Sequence, residues 1–365
     1  MKKIILIISI TISVLVLVFV VWRLLILSQP TTDSSMLDEE ETASGKLQLL
    51  SSEPIFGFWI DLSGNIYTVL ENGAISRLSQ DGKLEPLSEQ SIPSISSVNP
   101  SSDGLRTIIS FGYPTKESFS VFDTKTNRFI PLSEGTSSAD WHPSSSDRLV
   151  YIQNRGEKNV ISTFTVSSQK SSELITLSQK GLRLDWASPE EIYLFDLPDN
   201  KSTGSLWTLN ISTKTLRPII KEESGLMTKW FSNNSFGLKL SFVNQLPSLE
   251  IIDQQNRTLA KLPFVGLPSE CAEALSENRI YCAIPDAQDN LNGFLRRYLK
   301  KEDFYADSVY AIPTNIGIDQ RLENAVMPIS SPALDANVDI SELSAYNGDL
   351  YFINRADRLL YRLDL

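Results

Sequence analysis

Four groups of residues in this chain have types and spacings that could do chemistry. The first is a basic and aromatic run, Phe294-Leu295-Arg296-Arg297-Tyr298-Leu299-Lys300-Lys301, with Phe304 and Tyr305 just after it. Four cations gathered in one segment stand out against a net charge of −11. Phe294 and Tyr298, like Leu295 and Leu299, are four residues apart and would share one face of a short helix. Such a segment suits docking of an acidic partner or an anionic polymer. The competing reading is a surface loop pinned by its aromatics, with Lys and Arg heads in water. Phe294, Arg296, Arg297, Tyr298, Lys300, Lys301, Phe304 and Tyr305 are therefore the candidate partner-binding residues.

The second group is Cys271 and Cys282, the only cysteines, on either side of Ser276-Glu277-Asn278. A hairpin turning there places them nearly opposite one another. In an oxidising compartment they would form a disulfide, and two sulfurs with no nearby histidine do not make a metal site. The third group is Asp61, Asp140 and Asp185, which could converge to hold Ca²⁺ for a hydrolase or serve as hydrogen-bond acceptors between structural units. Asp140 and Asp185 each precede a tryptophan, so strand alternation sends acid and indole to opposite faces. The fourth is His142, the only histidine, which leaves room for a single Ser-His-Asp arrangement and reads better as a turn residue. Glycine-rich phosphate loops, H-E-x-x-H, G-x-S-x-G and EF-hand spacings are missing, so no catalytic set, metal or cofactor is assigned.

The elements that must position these groups repeat. A short apolar segment, a polar turn and an apolar-aromatic strand recur around Trp59, Val98, Trp141, Trp186, Trp230, Ala274 and Ala345. The gaps are 39, 43, 45, 44, 44 and 71 residues. A period in the low forties with several short strands per unit is the signature of a β-propeller, here with seven blades. The third unit shows the pattern best: Ser138 to Trp141, Arg148 to Ile152, Val160 to Val166 and Glu173 to Leu177 are its strands, with His142 to Asp147 as a turn. Ser63-Gly64-Asn65, Asn72-Gly73, Asp81-Gly82, Asp103-Gly104 and Asn347-Gly348 supply turn chemistry between strands. At Val98-Asn99-Pro100-Ser101-Ser102-Asp103-Gly104, Trp141-His142-Pro143 and Trp186-Ala187-Ser188-Pro189 the chain resembles the TolB-type (WD40-like) propeller repeat, in fragments of its aromatic, Ser-Pro-Asp-Gly, tyrosine pattern. The resemblance spans about residues 47–365 and implies the propeller fold; such propellers serve as binding platforms, envelope proteins and peptidase gates alike.

The last unit stops one strand short, and Leu47 to Leu50 precede the first. Pairing of that segment beside Leu359 to Leu363 would close the ring and remove both sheet edges. The 71-residue gap carries an excess of about 27 residues over the neighbouring period, placed between strands Arg279 to Ile284 and Asp307 to Ile312 of the sixth unit. Pro285 to Tyr305 is thus read as a connection between second and third strands, and Val326 to Val338 as a second long connection on the same face.

Ahead of the propeller, Ile4 to Trp22 carries no charge, and the apolar stretch continues past Arg23 to Leu27. That length spans a bilayer, and no small-residue cleavage site follows. Lys2 and Lys3 precede it and Asp38 to Glu41 follow, so residues 1–28 read as a cytoplasmic tip with a single transmembrane helix, the rest lying outside the cytoplasm. Residues 29–45 read as a disordered tether reaching roughly 20–25 Å, and 46–365 as the propeller. The acidic balance excludes general nucleic-acid binding, which needs a basic face. The expected protein is a monomeric, membrane-anchored propeller of bacterial type that binds a protein, peptide or cell-envelope polymer. A propeller hydrolase with carboxylate-bound Ca²⁺ in its channel is the alternative.

Overall fold

The computed structural model describes residues 47–88, 91–196, 203–231, 236–244, 246–286, 304–314, 326–329 and 338–365. All belong to the second of the chain's two units, 44–365. The segment read as transmembrane helix and tether lies outside them. Among the described residues no helix is long and apolar enough to cross a membrane.

Twenty-eight strands among the described residues form seven four-stranded antiparallel sheets, as the period requires. The first strands of successive sheets lie against one another: β2 (Ile55–Ile60) on β6 (Ile95–Pro100), β10 (Thr136–His142) on β14 (Leu182–Ser188), and β22 (Cys271–Ala274) on β26 (Ile340–Tyr346). They form the inner ring of the propeller. Every repeat anchor falls in such a strand, Trp230 in β18 (Met227–Trp230) among them. The seventh sheet takes its outermost strand from the N-terminal side. There β1 (Leu47–Leu49) pairs with β28 (Leu360–Asp364) in the register Leu47 to Leu363, Gln48 to Arg362 and Leu49 to Tyr361. The closure expected from the missing strand is present.

The core is distributed among seven hydrophobic clusters, each built from two neighbouring blades. Both faces of every sheet are therefore covered, which explains why the second strand of blade 3 is buried continuously from Leu149 to Ile152 instead of alternating. Trp59 and Trp141 fill two of these interfaces, and each also donates an indole N–H across the seam, to Gly104 O at 2.9 Å and Asn99 O at 2.8 Å. Turn glycines are forced where chain meets chain: Gly73 has φ +84°, and a Cβ there would lie 1.9 Å from Ile92 O.

Two boundaries differ from the sequence reading. In blade 3, β10 runs through His142, which pairs with Ser145, so the turn shrinks to Pro143 and Ser144. In blade 6, β25 (Met327–Ile329) pairs with β24 (Asp307–Pro313), Ala311 opposite Met327 and Val309 opposite Ile329. The stretch read as a connector from Val326 onward thus begins with the fourth strand of that blade. A three-residue strand centred on Pro328 carries little signal, and proline is tolerated there because an outermost strand need not donate on its free side. β23 (Arg279–Pro285) and β24 are adjacent partners, so the long excursion does connect second and third strands.

Candidate functional site

Inner strands present unpaired backbone N–H and C=O groups to the channel, and these need partners. Side chains of the preceding blade supply several. Asp140 on β10 accepts the Trp186 N–H at 2.6 Å and the Asn99 amide N–H at 2.8 Å. Ser138 Oγ accepts the Leu184 N–H at 3.2 Å. Leu184 and Trp186 are two residues apart on β14, so their N–H groups point to the same edge. Lys229 on β18 donates to Cys271 O at 2.6 Å and Ser269 O at 3.2 Å on the next blade. Asp307 accepts the Ile340 N–H of blade 7 at 2.6 Å.

Asp185 makes no hydrogen bond within the described residues. Burial, reinforced by the Asp140 carboxylate, pushes its carboxyl up to about 7, with Lys229 opposing. Burial pushes the Lys229 ammonium down, against the pull of Glu270, Glu342 and Asp185. Glu270 is pushed up to about 8 by burial and by Glu342, and its Oε2 has no hydrogen-bond partner among the described residues. Asp185 and Lys229 border a cavity of about 520 Å³ lined also by Asp140, Trp186, Trp230 and Ser269, with further residues of blades 2 to 5. The indole N–H groups of Trp186 and Trp230 are without partners among the described residues. The cavity therefore offers one acid that titrates near neutrality and residues with two unused donors.

The three aspartates proposed as Ca²⁺ ligands serve separate tasks. Asp61 organises its own turn, accepting the N–H groups of Ser63 and Asn65, each at 2.9 Å, and the Tyr67 hydroxyl at 3.2 Å. Asp140 joins blades, as the second reading of it anticipated. Among the described residues no group of three or more His, Cys, Asp or Glu is placed to hold a metal ion. His142 ends β10, its Nδ1 accepting the Ser144 N–H at 3.1 Å and its ring edge-on to Trp186 at 4.7 Å. It is the last strand residue before the Pro143-Ser144 turn. Lys229 was missed, although a signal existed: like Asp140 and Asp185 it directly precedes a tryptophan anchor. Glu270 and the Asp339–Arg355 pair carried no sequence signal: Lys229 beside Glu270 comes from another blade, and Asp339 and Arg355, just outside the ends of β26 and β27, meet only when those strands pair.

Of the partner-binding set, Phe294, Arg296, Arg297, Tyr298, Lys300 and Lys301 lie outside the described residues. Phe304 is 61% exposed, with the Arg355 guanidinium 5.5 Å from its ring centroid. The Tyr305 N–H donates to Asp339 Oδ2 at 3.0 Å, and its side chain packs on the cluster between blades 5 and 6. Asp339 and Arg355 pair at 3.0 Å with 1% and 5% of their side chains exposed. This pair anchors the C-terminal root of the excursion to blade 7. Cys271 and Cys282 stand directly opposite in register and form a disulfide.

No family model and no curated protein matches the chain. Solved structures do. An oligogalacturonate lyase from Vibrio parahaemolyticus aligns at 10% identity with a TM-score of 0.60, covering 88% of this chain and 93% of that one. A virginiamycin B lyase from Staphylococcus aureus, solved with quinupristin, aligns at 12% identity and TM-score 0.55, covering 88% and 99%. The C-terminal WD40 domain of Sif2 aligns at 13% identity and TM-score 0.52, covering 87% and 98%. At these identities the likeness establishes the propeller fold and nothing finer.

Proposed function

We propose that the chain is a membrane-anchored propeller displayed outside the cytoplasm, where it binds a protein, peptide or cell-envelope polymer without transforming it. Similar folds include lyases and a WD40 domain, so the fold is neutral between enzyme and binder. The observation that carries the reading is the sixth blade. It alone has a disulfide across its first hairpin, and from it leaves the excursion with the basic and aromatic run. A disulfide suits an oxidising compartment. That agrees with an apolar N-terminal span whose basic flank stays in the cytoplasm. The Asp339–Arg355 pair supports the root of the excursion as a rigid base for docking. A calcium-dependent hydrolase would need gathered carboxylates, and Asp61 and Asp140 are already engaged in a turn and a blade seam.

The test is cross-linking capture from the native membrane with the full chain and with residues 290–301 deleted. Loss of a specific partner, with an unchanged melting temperature, is the expected result. Equal capture by both chains rejects the excursion as the binding element.

A further inference from the structure

A second cavity opens at the end of the blades where the excursion is rooted. It measures about 620 Å³, and its polar lining includes Ser96, Ser97, Ser110, Glu117, Ser138 and Arg183, with Tyr113 also in its wall. Ser96 and Ser97 stand near the start of β6, Ser138 and Arg183 near the starts of β10 and β14. Tyr113 and Glu117 belong to the connection between second and third strands of blade 2, β7 (Arg106–Phe111) and β8 (Ser118–Asp123). All of these positions fall at the same end of their blades as residues 286 and 304–306.

The inner strand of blade 2 differs from those beside it. Its anchor is Val98, where blades 1, 3, 4 and 5 have tryptophan and blades 6 and 7 alanine. None of the six residues of β6 is buried, although β2 and β10 each contain several that are. A bulge between Ile95 and Ser97 turns two successive hydroxyls to one partner: Ser96 Oγ and Ser97 Oγ lie 2.7 and 2.6 Å from Ser110 Oγ. Ser96 also donates to Glu117 Oε1 at 3.2 Å. Arg183 faces Glu117 at 3.8 Å, too far for a hydrogen bond, and makes none within the described residues. Tyr113 is 64% exposed.

These features define a ligand chemistry. The two charged groups cancel, so the cavity favours a neutral guest. Hydroxyls both donate and accept, as those of a sugar do, and the spaced Arg183–Glu117 pair leaves donors and an acceptor open. An exposed aromatic ring supplies a flat apolar face. The volume is within the range of small-molecule sites. We propose that this cavity is a binding subsite for a neutral pyranose unit of a glycan, which narrows the ligand class of the binding reading above and rests on it.

The test is calorimetric titration of the full chain with three probes, cellobiose, maltose and the β-1,4-linked N-acetylglucosamine disaccharide, and with glycylglycine as a zwitterionic competitor class. At least one disaccharide binds, Tyr113→Ala weakens it by about tenfold, and Ser97→Val, which removes a lining hydroxyl without touching the aromatic, weakens it as well. Both positions are exposed, so both variants keep the parent melting temperature. The chain lacking residues 290–301 still binds the sugar, even if partner capture is lost, which separates this subsite from the excursion. Binding of no disaccharide, binding of glycylglycine alone, or parent affinity in both variants overturns the proposal.

Discussion

Asp140, Asp185 and Lys229 occupy one position of the repeat and do different work because their neighbours differ. Asp140 has two donors within reach and becomes a clasp between blades, whereas Asp185, beside it, makes no hydrogen bond within the described residues and burial pushes its carboxyl up to about 7. Replacing Asp140 with Ala strands the Trp186 N–H and the Asn99 amide; we expect a loss of about 1–3 kcal/mol in denaturant unfolding. Glu270 gives a pH dependence whose sign follows from burial. Its carboxyl ionises near its ordinary value of 4.5 when unfolded and at about 8 when folded. The folded chain thus favours the proton, and the stability this contributes is complete below about pH 4.5 and fades as pH rises through 8. Lys229, Glu342, Arg355 and Asp339 face this group, and the lowered Lys229 works in the opposite direction. The comparison that isolates Glu270 is therefore with Glu270→Gln: melting curves at pH 5, 7 and 9 should separate progressively, the Gln chain being the more stable at pH 9. Parallel curves would place the carboxylate in water.

At the level of the element, blade 6 combines what was legible with what was not. Its first hairpin was readable because Cys271 and Cys282 flank a polar turn at matched distances, and pairing in register follows from antiparallel geometry. The crosslink closes a separation of 11 residues. Cys271→Ser with Cys282→Ser should lower unfolding free energy by about 2–3 kcal/mol, with reductant giving the parent chain the same midpoint as the double variant. The fourth strand was illegible. Met327–Ile329 is short, bears a proline and is defined by its pairing with β24, not by its own pattern. Likewise, no periodicity announces that Tyr305 is tied to Asp339, since the two residues meet only through the seam between blades 6 and 7.

For the molecule as a whole, ring closure is the feature on which the other blades depend. β1 covers β28, and removing it exposes an edge on the last sheet while leaving blades 2 to 5 intact. A chain starting at residue 51 should melt lower than one starting at residue 45, although both lack the N-terminal apolar segment. Hydrogen exchange should rise at residues 360–364 before it rises in blade 3. Equal melting temperatures would show that the seventh blade closes without its outer strand.

Period, strand content and a missing last strand were enough to read a closed seven-bladed ring. Each depends on local pattern, and local pattern is how a strand with two buried faces writes itself into a sequence. The cavities were decided by the ring. Ser96, Ser110, Glu117 and Arg183 come from blades 2 and 4, and Asp140, Asp185 and Lys229 from blades 3, 4 and 5. Their proximity depends on how far each blade rotates from the last. Residues of different repeats meet only through the packing of neighbouring blades, which no local pattern encodes.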